Sequence, residues 1–195
     1  MGPSDASLWE RSRAGEAEAF GLLFERHAKE IYNYSFRLVG DWLTAEDLLS
    51  LTFLEAWRRR DKQLPEAKVL PWLFGIATNV ARNRRRSDRR YAAALKRVPA
   101  PQPEPDFAER CVSRLDDERR MREAMAVLAR LPAHEREVFV LCTCMGLSYD
   151  DAALALGVPI GTVRSRLSRA RTHLRELESA CGHEEERAAI LEEVV

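Results

Sequence analysis

Two helical patterns that meet at one glycine constrain this chain more than any other feature. Residues 147–177 read LSYDDAALALGVPIGTVRSRLSRARTHLREL. Ser148, with Asp151 three positions on, forms a capping-box-like start, and Gly157 is a stop. A second helical pattern begins around Gly161, which predicts helix, tight turn, helix. In the second helix Ile160, Val163, Leu167, Ala170, Leu174 and Leu177 recur three and four residues apart and form one inward stripe. The opposite face carries Ser165, Ser168, Arg169 and Thr172, flanked by Arg164, Arg171 and Arg175, and no acidic residue falls between Ile160 and Arg175.

Such a helix suits a DNA major groove. Short hydroxyls approach base edges, an arginine forks onto guanine, and flanking arginines hold phosphates. The plain alternative is a solvated arginine-rich face, which normally mixes in Glu for pairing.

Net charge argues against a nucleic-acid binder only until the charges are located. The chain of 195 residues carries 31 basic and 31 acidic residues. They are segregated: Asn79 to Arg97 holds eight Lys or Arg against one acid, Asp88, while Glu176 to Val195 holds seven Glu against one Arg. Basic surfaces can meet DNA while acidic parts repel it or meet a basic partner. A hydrophobic content of 46% suffices for real cores. No apolar run is long enough for a bilayer, and the amino terminus has no signal-peptide pattern, which predicts a soluble, cytoplasmic protein. The four cysteines, Cys111, Cys142, Cys144 and Cys181, are too scattered for a disulfide framework and read as packing thiols. Cys142 and Cys144 point in different directions along a helix, and Cys181 with His183 is thin evidence for zinc.

The remaining periodicity predicts an all-α chain. Ala17 to Leu38 reads as a helix with Phe20, Leu23, Phe24, His27, Ile31, Tyr34 and Leu38 on one face, His27 at a core edge or surface. Thr44 and Asp47 repeat the capping-box pattern and open a second helix to about Arg60, with Ala45, Leu48, Leu49, Thr52, Phe53, Ala56 and Trp57 as its stripe. Asp61 to Leu70 is a polar loop, and Pro71 suits the first residue of a third helix. That helix turns Leu73, Ile76, Ala77 and Val80 inward and Thr78, Asn79, Arg82, Asn83, Arg85 and Arg86 outward. Its Gly75 costs roughly 1 kcal/mol against Ala, which suits a close helix approach. Arg84 to Arg90 reads as a phosphate-binding patch. Val98 to Asp106, VPAPQPEPD, cannot form a core and predicts an extended tether. A helix over Asp116 to Leu131, a stop at Pro132, and a helix through Val138 and Cys142 follow. The tail from Cys181 is acidic and mildly amphipathic, and reads as a frayed solvated end.

Four stretches in this arrangement, AEDLLSLTFLEAW (Ala45 to Trp57), PWLFGIATNVARNRRR (Pro71 to Arg86), LARLPAHEREVFVL (Leu128 to Leu141) and LSYDDAALALGVPIGTVRSRLSRAR, resemble the extracytoplasmic-function group of bacterial sigma factors. The resemblance implies two small helical domains joined by a flexible linker: region two over 1–92, a Pro-rich linker over 93–115, region four over 116–180, and the acidic tail over 181–195. It implies core RNA polymerase as a partner, through its clamp helices and flap, together with promoter DNA and an anti-sigma protein. It implies no cofactor, no metal and no catalytic residue. Glu46, Asp47, Leu48, Phe53 and Trp57 would mark the polymerase-binding helix. Asp61, Lys62, Lys68, Asn79, Arg82, Asn83, Arg85 and Arg86 would meet the minus-ten element, and Thr162, Arg164, Ser165, Arg166, Ser168, Arg169 and Arg171 the minus-thirty-five element. The competing reading is a free-standing helix-turn-helix regulator. An enzyme finds no support in paired carboxylates, a glycine-rich phosphate loop or a nucleophile with a base.

Overall fold

A computed structural model describes residues 2–61, 68–95 and 115–192, with the side chains of 92, 94, 95, 115–122, 178 and 180–192 left aside. The tether over 98–106 and Lys62 lie outside the described residues. Within them every regular element is helical, as the periodicity predicts.

The first helix, α1 (Asp5–Arg13), is not anticipated by the sequence patterns. Ser4 caps it, its Oγ accepting from Ser7 N at 3.3 Å. Leu8 and Trp9 are buried, and Ser12 Oγ donates back to Leu8 O at 2.7 Å. Asp5 secures the helix to α2 (Ala17–Val39): Asp5 Oδ2 lies 2.7 Å from His27 Nε2, and Arg26 pairs with the same carboxylate. His27 is therefore a buried anchor for α1.

Gly40, at φ +76°, turns the chain out of α2. The next helix, α3 (Trp42–Arg58), starts earlier than the Thr44–Asp47 pattern predicts. Asp41 is the cap, because its carboxylate accepts the Thr44 N–H at 2.7 Å, and this bond holds Asp41 below the usual carboxylate range. α4 (Val69–Leu95) likewise starts two residues before Pro71. The proline sits in the first turn, where its missing N–H leaves no helix bond unmade.

The predicted outward position of Thr78 is corrected by the structure, where it is buried. Its Oγ1 donates to Phe74 O at 2.8 Å and lies 2.6 Å from the Tyr34 hydroxyl, which is the donor of that second bond because the Thr78 proton is already used. Burial pushes the Tyr34 hydroxyl's pKa upward, the Thr78 bond opposing it in part. α4 is buried all round from Leu73 to Thr78 because it is covered on two sides, by α2 and α3 and by the helix Tyr149–Leu156 of the other half.

That second half comprises α5 (Leu115–Arg130), α6 (Ala133–Phe139), a π-helical turn over Val140–Cys144, α7 (Tyr149–Leu156) and α8 (Ile160–Glu192). The tail predicted as frayed is continuous with α8 as far as Glu192. One cluster of buried side chains runs from Leu8 through Phe74 and Ile76 to Ala155, Val163 and Ala170, so both halves share a core. Gly75 marks a close approach at that junction: a Cβ there would lie 2.5 Å from Ala155 O. The expected close helix approach is thus made across the two halves.

Candidate nucleic-acid interface

The α7–turn–α8 unit is built from local signals. Ser148 Oγ accepts from Asp151 N at 3.1 Å and donates to Asp151 Oδ2 at 2.8 Å, and Gly157 ends α7 at φ +64°. Val163, Leu167 and Ala170 are buried, with Leu174 packed beside them. Ile160, the first residue of the predicted stripe, is 37% exposed because it stands before the helix reaches the core. The arginine-bearing face lies outward as expected: Arg164, Ser165, Ser168, Arg169, Arg171 and Thr172 are exposed, and Thr162 and Arg166 are half-buried at its border.

The polar atoms of this face turn back onto their own helix. Ser165 Oγ donates to Thr162 O at 3.1 Å, Thr172 Oγ1 to Ser168 O at 3.2 Å, and Arg169 Nε to Ser165 O at 3.3 Å. Arg164 rests over the Tyr149 ring, 5.9 Å from its centroid. These are exchangeable bonds at a solvated surface.

Two acids missed by the sequence reading set the angle of α8 and its neighbours. Glu135 is buried on α6 and accepts from His173 Nδ1 at 2.7 Å, fixing α8 against α6. Glu137, also buried, takes a bidentate bond from Arg82 of α4, Nε to Oε1 at 3.0 Å and Nη2 to Oε2 at 2.6 Å. The pairing raises the Arg82 pKa. The stretch AHEREVF of α6 carries no signal for this, since His134 and Arg136 stand beside the two glutamates and make it read as solvated.

The candidate cations of α4 therefore divide. Asn83 and Arg86 are exposed, while Arg85 is half-buried and donates to Leu38 O at 2.8 Å, burial lowering its pKa. Asn79 lines a crevice of about 140 Å³ with Lys68, Trp72, Gly75, Leu154 and Ala155. Lys68 Nζ lies 3.0 Å from Asp151 Oδ1; burial works to raise the Asp151 pKa, but its bonds to Ser148 and Lys68 outweigh it and the net shift is downward. Asp61 is exposed just past α3.

On α3, Glu46 and Asp47 are exposed and Trp57 is half-buried, touching Phe20 at 5.1 Å between ring centroids. Leu48 and Phe53 are buried, so the structure removes them as surface contacts and makes them supports of the helix. The exposed large apolar residues of α3 are instead Trp42, Leu43, Leu51 and Leu54. Leu51 and Leu54 fall off the inward stripe in the sequence, and that position was the legible clue. Cys142 is half-buried, as suits a packing thiol, and burial raises its pKa; Cys144 is exposed, which corrects the packing reading at that position.

An all-helical chain with an exposed, acid-free arginine face on a helix-turn-helix, and a second cationic helix in its other half, is of the DNA-binding helix-turn-helix class. Residues 23–91 match sigma-70 region 2 and residues 121–174 match sigma-70 region 4. The chain is 34% identical to the RNA polymerase sigma factor CarQ of Myxococcus xanthus, over 86% of this chain and 94% of that one. It is also 34% identical to the ECF RNA polymerase sigma factor SigL of Mycobacterium tuberculosis, over 83% of this chain and 90% of that one. Among solved structures, the sigma factor RpoE in complex with the anti-sigma factor NepR from Bartonella quintana is similar at a TM-score of 0.64 and 29% identity, covering 82% of this chain and 96% of that one. The chain belongs to the extracytoplasmic-function group of sigma-70 family RNA polymerase sigma factors. No helix among the described residues is long and apolar enough to cross a membrane.

Proposed function

We propose that this chain joins core RNA polymerase in the cytoplasm and directs it to promoters, α8 reading the minus-thirty-five element and α4 receiving the minus-ten strand. The observation that carries this reading is the outward face of α8, where Arg164, Ser165, Ser168, Arg169 and Arg171 stand exposed without one acid among them. Thr162 and Arg166 border that face. On α4, Asn79, Arg82, Asn83, Arg85 and Arg86 take the separated strand, with Lys68 just before the helix start and Asp61 just past α3. Parting each base-pair step forfeits about 1.4 kcal/mol of stacking, which pockets for unstacked bases and arginine–phosphate contacts offset. Docking on polymerase falls to α3, with Glu46 and Asp47 for charge and Leu51 and Leu54 for apolar contact. The reading needs no cofactor and no catalytic residue. The Bartonella quintana relative is held by an anti-sigma factor, and a protein inhibitor of that kind is proposed here too. The domain limits are proposed as 1–92 and 116–180.

The direct test is transcription in vitro with bacterial core polymerase and a pool of genomic promoter fragments. New start sites that require this chain support the reading. Folded chain that neither binds core polymerase nor creates starts, yet binds a palindromic site as a dimer, would replace it with a free-standing regulator. On a promoter so found, Arg169→Ala is expected to weaken binding by about 1–3 kcal/mol and to relax preference at one position. An equal loss on every promoter would make Arg169 a phosphate contact instead.

A further inference from the structure

We infer that the groove between the end of α2, α4 and α6 is a binding site for a small, free phosphate-bearing anion, held between Arg85 and Arg136. The inference goes beyond the promoter reading and does not depend on it.

The groove has a volume of about 240 Å³, and three arginines, Arg84, Arg85 and Arg136, line it against one acid, Asp88. That acid is already engaged. Arg84 Nε donates to Asp88 Oδ1 at 3.1 Å, and Asp47 stands 4.0 Å from the same guanidinium. Glu137, whose charge also acts on Arg85 and Arg136, gives both of its oxygens to Arg82. Arg85 donates to a neutral acceptor, Leu38 O, at 2.8 Å. Arg136 has still less, because its Nε is buried without an acceptor. Among the described residues no carboxylate pairs with either arginine. Burial, and then the Arg85 charge, bring the Arg136 pKa down to about 10. Two like charges therefore share one partly desolvated space, a situation that an anion between them relieves.

The chemistry favours phosphate. A carboxylate matches the fork of one guanidinium, whereas a phosphate group presents three acceptor oxygens around one atom and takes N–H groups from two guanidiniums at once. The Thr44 hydroxyl, also in the lining, adds a neutral donor. The site is separate from the strand face of α4. At about 3.6 residues per turn, Arg84, Arg85 and Asp88 fall on the opposite side of the helix from Asn79, Asn83 and Arg86. Arg85 alone is common to both, and in the chain by itself it is turned into the groove, since Leu38 is part of the lining.

The test uses the full chain, with inorganic pyrophosphate as the probe in titration calorimetry at constant ionic strength. Wild type is compared with Arg136→Gln, which removes the charge and the fork, and with Arg86→Ala on the far side of α4; circular dichroism certifies folding of each. One saturable site per chain is expected, about tenfold or more weaker in Arg136→Gln and unchanged in Arg86→Ala. Arg136→Lys keeps the charge without the planar fork and is expected to fall between wild type and Arg136→Gln, and it carries the comparison should Arg136→Gln not fold. Heat that never saturates, or equal weakening by Arg136→Gln and Arg86→Ala, means a diffuse basic surface and overturns the site. A second titration with a single-stranded oligonucleotide separates the sources of phosphate. Oligonucleotide binding that ignores Arg136→Gln, while pyrophosphate binding falls, upholds a free anion. Pyrophosphate displaced by the oligonucleotide, with Arg136→Gln weakening both alike, gives the groove to the nucleic-acid backbone and overturns the inference.

Discussion

Trp9→Ala is expected to destabilise the chain by about 3–5 kcal/mol, measured as a lowered urea midpoint. The indole is 1% exposed and meets Trp72 edge to face with ring centroids 4.8 Å apart. Removing it empties the contact between α1 and the start of α4, and a cavity there cannot collapse easily because Leu8, Ser12 and the Asp5–His27 bond hold α1 from both sides. Domains are marginal, with about 5–15 kcal/mol in hand, so the loss takes a large share of the total. The contrast is Trp42→Ala. That ring is 55% exposed, and its main contact is a stack on Phe36 at 3.9 Å, so a cost of about 1 kcal/mol is expected. A Trp9→Ala loss no larger than that of Trp42→Ala would mean that α1 is not seated in solution as it is here.

The two tryptophans also show what could and could not be read in the sequence. The helix-turn-helix was legible because its instructions are local: a Ser148 cap, a Gly157 stop and a stripe through Val163, Leu167 and Ala170 lie within a few turns of one another. The exposed arginines of α8 followed directly from that stripe. By contrast, α1 spans nine residues with little amphipathic pattern, and what holds it is Asp5 reaching His27, 22 positions away. Thr78 looked like a surface residue because a helix was assumed to have one buried face. Its burial depends on a second helix pair brought from the far half of the chain. Arg82 failed to read as a paired residue for the same reason, since Glu137 lies 55 positions on. The site's chemistry was visible residue by residue. Which cations are already occupied was not, because that is decided by long-range packing.

Gly75→Val should have the largest effect on arrangement and a smaller one on the fold of each half. Gly75 has ordinary helical backbone, so any side chain fits α4 itself, and replacing glycine in a helix interior ordinarily favours the helix. Valine gives back part of that gain through its restricted χ1. The obstacle lies outside the helix. The first carbon of any side chain would sit 2.5 Å from Ala155 O, and the atom in the way is backbone, which cannot swing aside like a side chain. Valine adds two methyls in the same direction, and overpacking of a filled junction ordinarily costs about 1–3 kcal/mol. Here the chain has a cheaper response than strain. The halves can part along α4 and α7, surrendering to water the partly exposed Lys68–Asp151 pair, of a kind worth about 0–1 kcal/mol, and the Arg82–Glu137 pair, whose buried carboxylate regains its hydration. The expected result is little change in helical content, much faster amide exchange along α7, and a larger radius of gyration. Unchanged exchange in α7 together with a lowered unfolding midpoint would show that the junction yields by local distortion and that the two halves behave as one body. Parting of the halves would instead mean that a single missing side chain at position 75 is what allows this sigma factor to close on itself.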